Sequence, residues 1–299
     1  MGCPVTDLAS STESARVEPA GRRASRTART VLSAPVTYAL LLAFLLGSAF
    51  PLYWSFVVGT QTNDAVGQVP PVLVPGGHLV ENVRRVFTES AFAKALLNSF
   101  VVAGTITVSV VVSSTLAGFA FAKLRFRGRD ALLLGTVVVM MVPTQLGIIP
   151  LYLLMARLGW TNQLQAVIVP GLVSAFGVFF MRQYLAQAVP TELLDAGRVD
   201  GCHTLGRVWH VVVPAARPAA AVLGMFSFVQ AWNDFFWPLV VLSPDNPTVQ
   251  VAVSTLASGY TEDYTVVLTA IVLATVPILA VFLVLGRYVL SGISVPAAR

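Results

Sequence analysis

Six stretches of this chain, at about 34–58, 95–122, 131–156, 163–184, 219–243 and 265–289, are each about 20 residues or longer and carry at most one charged side chain apiece. A helix rising 1.5 Å per residue needs roughly 20 apolar residues to cross a hydrocarbon layer of about 30 Å. Lipid offers the backbone no hydrogen-bond partner, so such runs fold as helices. The expected fold is therefore all-α, a polytopic membrane protein with six transmembrane helices. Composition agrees: of 299 residues 56% are hydrophobic and 11% charged, with a mean hydropathy of +0.77, too little polar surface to coat a soluble globule.

The cationic residues fix an orientation. Arg16, Arg22, Arg23, Arg26 and Arg29 precede the first run, and Lys123, Arg125, Arg127 and Arg129 separate the second from the third. Arg182, Arg198, Arg207 and Arg217 lie around the connection between the fourth and fifth, and Arg287 and Arg299 close the chain. Six alternating spans place all of these on one side and leave Arg84, Arg85, Lys94 and Arg157 on the other. The positive-inside rule makes the first side cytoplasmic, so both termini are expected there. An isoelectric point near 9.6 also raises nucleic acid as a partner, but the cations are spread over loops with no aromatic stacking surface among them. No nucleic-acid partner is expected. Residues 1–30, rich in Ser, Thr, Ala and Arg, are expected to form a disordered cytoplasmic tail, 31–292 the transmembrane domain, and 293–299 a short cytoplasmic tail.

Several chemistries are excluded by what is missing. No Gly-x-x-x-x-Gly-Lys-Ser/Thr loop is present to cradle nucleotide phosphates, and no catalytic triad or HExxH helix occurs. The chain is not expected to be an enzyme. His78, His203 and His210 are scattered and suggest no metal site, while Cys3 and Cys202 both fall on the reducing side, where a disulfide is not expected.

One hydrophilic island, about 186–218, interrupts the apolar pattern. Pro190-Thr191 begins a helix with Glu192 in its first turn, and Asp200-Gly201 stops it. A second short helix over about 204–213, with Leu205, Val208 and Val212 on one face, should end at Pro214. A helix, a glycine turn and a helix outside the bilayer suit docking against another protein.

The island resembles the cytoplasmic coupling loop of permease subunits in binding-protein-dependent ABC importers, a pattern of Glu-Ala-Ala, three residues, Gly, and a later Leu-Pro. Here it reads Asp195-Ala196-Gly197-Arg198-Val199-Asp200-Gly201, with Val213-Pro214 downstream; Asp195 replaces Glu, Gly197 replaces Ala and Cys202 replaces the Ala after the glycine. Gly197 lowers helix propensity by roughly 1 kcal/mol relative to Ala. Asn98-Ser99-Phe100, Ala120-Phe121-Ala122-Lys123, Met141-Val142-Pro143, Ile149-Pro150-Leu151-Tyr152 and Ala231-Trp232-Asn233-Asp234-Phe235-Phe236-Trp237-Pro238 are similar to the carbohydrate branch, to its second, maltose G-type permease, over about residues 34–292.

The resemblance implies a type I importer permease of a bacterial cytoplasmic membrane, carrying a sugar or polyol. It implies a second permease as heterodimer partner, two ATPase subunits that bind ATP and Mg, and an extracytoplasmic solute-binding protein. It also assigns the coupling loop to Glu192, Asp195, Ala196, Gly197, Arg198, Asp200, Gly201 and Pro214. Import of another solute, a polyamine or peptide, and an ion-coupled secondary transporter are the alternatives.

Trp232, Asn233 and Asp234 are candidate pathway residues, since an intramembrane carboxylate must face protein or water. Aromatic faces beside an amide and a carboxylate suit a sugar; equally, Asn233 and Asp234 can satisfy backbone groups near Pro238. Thr144 and Gln145, after Pro143, either face the pathway or join helices. Two rows of small residues, Ser109-Ser113-Ala117 and Ser114-Gly118-Ala122, let helices approach closely, inside the bundle or at a dimer seam.

Overall fold

The computed structural model describes residues 34–199, 201–258 and 263–293. The tail expected at 1–30, the chain beyond 293, Cys3 and Asp200 lie outside the described residues. Fourteen α-helices are present among them: α1 (Ala34–Gly59), α2 (Asn63–Val66), α3 (Leu79–Glu89), α4 (Phe92–Lys123), α5 (Arg129–Met140), α6 (Ile148–Arg157), α7 (Gln165–Gly171), α8 (Ala175–Ala188), α9 (Thr191–Val199), α10 (Thr204–Arg207), α11 (Val213–Trp232), α12 (Phe236–Val241), α13 (Val249–Ala257) and α14 (Tyr264–Ile293). A 3-10 turn over Thr144–Gly147 leads into α6, and a π turn over Val208–Val212 joins α10 to α11. The chain divides into two compact units, one ending at Ala49 and the other beginning at Phe50. The described part of the first is the uncharged start of α1. The packed bundle and the candidate site belong to the second.

Five stretches are long and apolar enough to cross a membrane: Pro35–Gly59, Phe92–Lys123, Gln165–Ala188, Thr204–Trp232 and Tyr264–Gly286. The pair Arg129–Met140 and Thr144–Arg157, bent by 88°, makes a sixth when counted as one span. The bend corrects the continuous helix expected over 131–156. Pro143 has no N–H to continue the ladder and holds an extended backbone at φ −61°, ψ 125°.

The fifth span is corrected as well. Neither Pro214 nor Pro218 ends a helix; both lie inside α11, and the helical rod runs from Thr204 to Trp232 rather than over 219–243. Pro214 falls in the first turn of α11, just after the π turn, where a missing N–H costs least. Val213 donates to Val208 O, one residue farther back than in an α-helix, which widens the turn ahead of the Pro214 ring. His210 Nδ1 lies 2.8 Å from Gly206 O. The rod ends at Trp232, where the break at Asn233–Phe235 separates it from α12.

α4 is the central element, packing along α8 and α11, while α11 also packs on α14. Small residues set the approach. A Cβ on Gly118 would stand 2.8 Å from both Arg182 N and Met181 Cβ, and one on Gly177 would meet Val110 Cγ1 at 3.3 Å. The Ser114-Gly118 row thus faces α8 within this chain. Ser109 Oγ donates to Leu172 O at 2.8 Å, satisfying a carbonyl at the break between α7 and α8.

Toward the other end, Asn98 is buried and donates to Asn246 Oδ1 (3.1 Å) and Pro247 O (2.9 Å), and Ser99 Oγ accepts from Val249 N–H at 2.9 Å. The Asn-Ser pair fastens the 242–248 turn onto α4. α3 lies against α14, with Val86 buried and the Asn82 amide bridging Gly59 O and Gln61 O.

Candidate functional site

The loop between α8 and α10 is built from the residues expected to stop and start helices. α9 begins at Thr191 with Glu192 in its first turn and ends in a Schellman closure. Gly201 adopts φ +79°, its N–H donates to Arg198 O at 3.1 Å, and Cys202 N–H reaches back to Gly197 O at 2.9 Å. Such a backbone strongly favours glycine. His203 then starts α10, its Nδ1 accepting from Gly206 N–H at 2.8 Å.

α9 presents an exposed face held by few anchors. Leu194 is buried in a cluster with Leu185, Val189, Val208 and Val212. Glu192, Leu193, Asp195, Ala196, Arg198 and Val199 are exposed, Val199 at 89%. Asp195 and Arg198 form an i,i+3 ion pair at 3.8 Å, on an exposed surface where such a pair adds little. Leu205 and Trp209, on the following turns, are also exposed. The result is a mixed apolar and charged surface. Lys123 Nζ donates to Ala186 O at 3.0 Å, placing the end of α4 beside this loop.

The candidate pathway residues do not form one site. Trp232 is 0% exposed: it stacks on Phe228 (5.5 Å), meets Phe100 edge-on (4.9 Å) and donates its indole N–H to Ala274 O at 3.1 Å, one turn before Pro277. Its ring belongs to the core and is closed to a solute. Asp234 is half-buried in the break ahead of α12. Asn233 is exposed and accepts from Gln250 Nε2 at 3.2 Å. Thr144 and Gln145 are exposed at the elbow of the bent pair.

The structure adds residues the sequence did not single out. Phe226 and Gln230 of α11 and Asn233 at its C-cap, spaced i, i+4 and i+7, are all exposed, and Phe176 of α8 packs on Phe226 at 5.3 Å. Gln230 has no hydrogen-bond partner among the described residues. A free amide on a membrane helix faces water or protein rather than lipid. The i, i+4, i+7 spacing was the available signal, hidden among apolar neighbours.

Comparison with known proteins places these features. The model of the binding-protein-dependent transport system inner membrane component family matches residues 109–295. The arabinooligosaccharides transport system permease protein AraQ of Halalkalibacterium halodurans is 34% identical over 227 residues, 75% of this chain and 81% of that one. The lactose transport system permease protein LacG of Rhizobium radiobacter is 34% identical over 267 residues, covering 89% and 97%. The sn-glycerol-3-phosphate transport system permease protein UgpE of Pectobacterium atrosepticum is 32% identical over 266 residues, covering 86% and 94%. A solved bacterial ABC transporter involved in the import of the acidic polysaccharide alginate contains a chain of the same fold, with a TM-score of 0.73 at 24% identity over 85% of this chain and 95% of that one. With its bundle of membrane-length helices and a family match that takes in α9 and all of α11, this chain belongs to the inner membrane components of binding-protein-dependent transport systems.

Proposed function

We propose that this chain is the permease subunit of an ATP-driven ABC importer that carries a carbohydrate or related polyol across the bacterial cytoplasmic membrane. It acts as a transport component rather than an enzyme. Two ATPase subunits bind ATP and Mg, a second permease completes the pathway as a heterodimer, and an extracytoplasmic solute-binding protein delivers the solute. Both termini and α9 lie on the cytoplasmic side, where the arginine asymmetry puts them.

The observation that carries the docking role is α9 itself, an exposed helix closed by a glycine turn and seated on the start of the fifth span. Motion of a docked ATPase would pass from α9 into the rod that ends at Asn233. Support for the solute class comes from relatives named for arabinooligosaccharides, lactose and glycerol phosphate. The face of α11 favours an uncharged member of that range. Phe176 and Phe226 offer apolar surface to the CH face of a ring, Gln230, Asn233 and Gln250 offer amides to hydroxyls, and the five include no Lys or Arg for a phosphate.

Cys202, free and exposed on the loop, is a native probe. In the assembled complex a short thiol-to-amine cross-linker should join it to an ATPase subunit. A complex that transports but cross-links to the ATPase from Ser258→Cys at the opposite end, and never from Cys202, would contradict the docking assignment.

A further inference from the structure

The seat of α9 contains a buried cation with no carboxylate partner among the described residues. Arg207 is 7% exposed, and its stem runs beneath α9 at Gly197: a Cβ placed there would stand 3.3 Å from Arg207 Cγ and 3.5 Å from Cδ. Its Nη2 donates to Thr204 Oγ1 at 3.1 Å and its Nη1 reaches Leu194 O at 3.5 Å, while Nε has no partner. Among the described residues no carboxylate lies within 4 Å of it. An apolar side chain of this volume would be expected to fill the space at least as favourably.

Position explains the residue better than energy does. Arg207 ends α10 and opens directly into the π turn and α11, a helical run unbroken from Thr204 to Trp232. Gly197 is helical, so its lack of a side chain serves approach rather than a special backbone. The pair is a small-on-large contact between the docking helix and the rod, and it lies nearer the glycine end of α9 than Leu194 does.

From this contact we infer that Arg207 is the positioning residue that transmits displacement of α9 to α11, acting through the packing of its stem under Gly197. The inference rests on the proposed docking of an ATPase at α9. Removing the stem leaves α9 with Leu194 as its remaining buried anchor, so α9 can move with the ATPase while α11 stays behind.

The test uses the full reconstituted complex and reads solute transported per ATP hydrolysed, normalised to assembled complex. Arg207→Ala should lower that ratio several-fold while ATP hydrolysis and its dependence on ATP concentration persist. Arg207→Met, which keeps the stem and removes the charge, should restore the ratio. A merely structural role would reduce the amount of complex and leave the ratio unchanged. If Arg207→Ala does not assemble, Gly197→Leu, which wedges the same contact from the other side, provides the ratio in its place. An unchanged ratio in the assembled variant, or failure of Met to restore it, overturns the inference. Cross-linking of Cys202 to the ATPase, run in parallel, separates that failure from a failure of the docking assignment: the cross-link persists in the first case and is absent in the second.

Discussion

Gly201→Val places a defined strain on the docking loop. Gly201 sits at φ +79° and an added Cβ would meet nothing within 4 Å, so the penalty starts from the backbone rather than from a clash at Cβ. An L-residue in the left-handed region costs about 1–2 kcal/mol, and a strained position spans roughly 1–3 kcal/mol, with a β-branched residue toward the upper end. The chain can escape by leaving that region, but it then forfeits the bonds to Gly197 O (2.9 Å) and Arg198 O (3.1 Å). Two hydrogen bonds at about 1 kcal/mol each give the same total, so both routes converge on about 2 kcal/mol. That corresponds to a factor of about 30 in the opening equilibrium of the turn. Hydrogen exchange at the Cys202 amide is the assay. Exchange should be fastest in Gly201→Val, slower in Gly201→Ala and slowest of the three in Gly201→Asn, since Asn tolerates the left-handed region. In the reconstituted complex carrying Gly201→Val, ATP hydrolysis by the ATPase subunits should no longer be matched by uptake. Equal exchange in the Val variant and the parent protein would refute the reasoning.

Packing, charge and topology each yield a further expected outcome. Gly118→Ala should lower thermal stability in detergent by about 1–3 kcal/mol, because its Cβ meets backbone of α8 that cannot give way, whereas Gly104→Ala, with nothing within 4 Å, should be neutral or gain up to about 1 kcal/mol. Burial works to raise the Asp263 carboxyl, but hydrogen bonds from Thr265 and the Arg85 guanidinium, 2.6 Å away, outweigh it and hold the group below its ordinary value. The tie it makes between α3 and the start of α14 should therefore be complete above the ordinary carboxylate pKa and be lost as pH falls through the depressed folded value, read as faster exchange of the Val266 amide; Asp263→Asn should abolish that pH dependence. A membrane-impermeant thiol reagent added to intact cells should label Ser258→Cys and miss Cys202, and the opposite pattern would reverse the orientation.

Hydropathy made most of the bundle legible, because lipid leaves the backbone few choices. Glycine chemistry did the same for the loop: the stop expected at Asp200-Gly201 is where α9 closes, and Gly201 takes the left-handed backbone there. Prolines were harder to read. Pro143 breaks its span whereas Pro214 and Pro218 continue theirs, and the π turn just ahead of Pro214 is not something the residue type alone reveals. Trp232 shows a second limit. Its neighbours Asn233 and Asp234 suggested a pathway, but a helix turns about 100° per residue, so adjacent residues face different surroundings, and Trp232 points into the core while Asn233 is exposed. Gly197 read as a weak point of α9, and only the Arg207 stem beneath it shows why a larger residue is disfavoured.

The central claim is that this chain moves solute only when a separate ATPase drives it, and uptake into proteoliposomes tests it most directly. The purified chain with its partner permease, loaded binding protein and the two ATPase subunits should accumulate sugar when ATP is supplied on the ATPase side, and omission of the ATPase subunits should abolish accumulation under any ion gradient. Robust ion-driven accumulation by the chain without ATPase subunits would contradict the account.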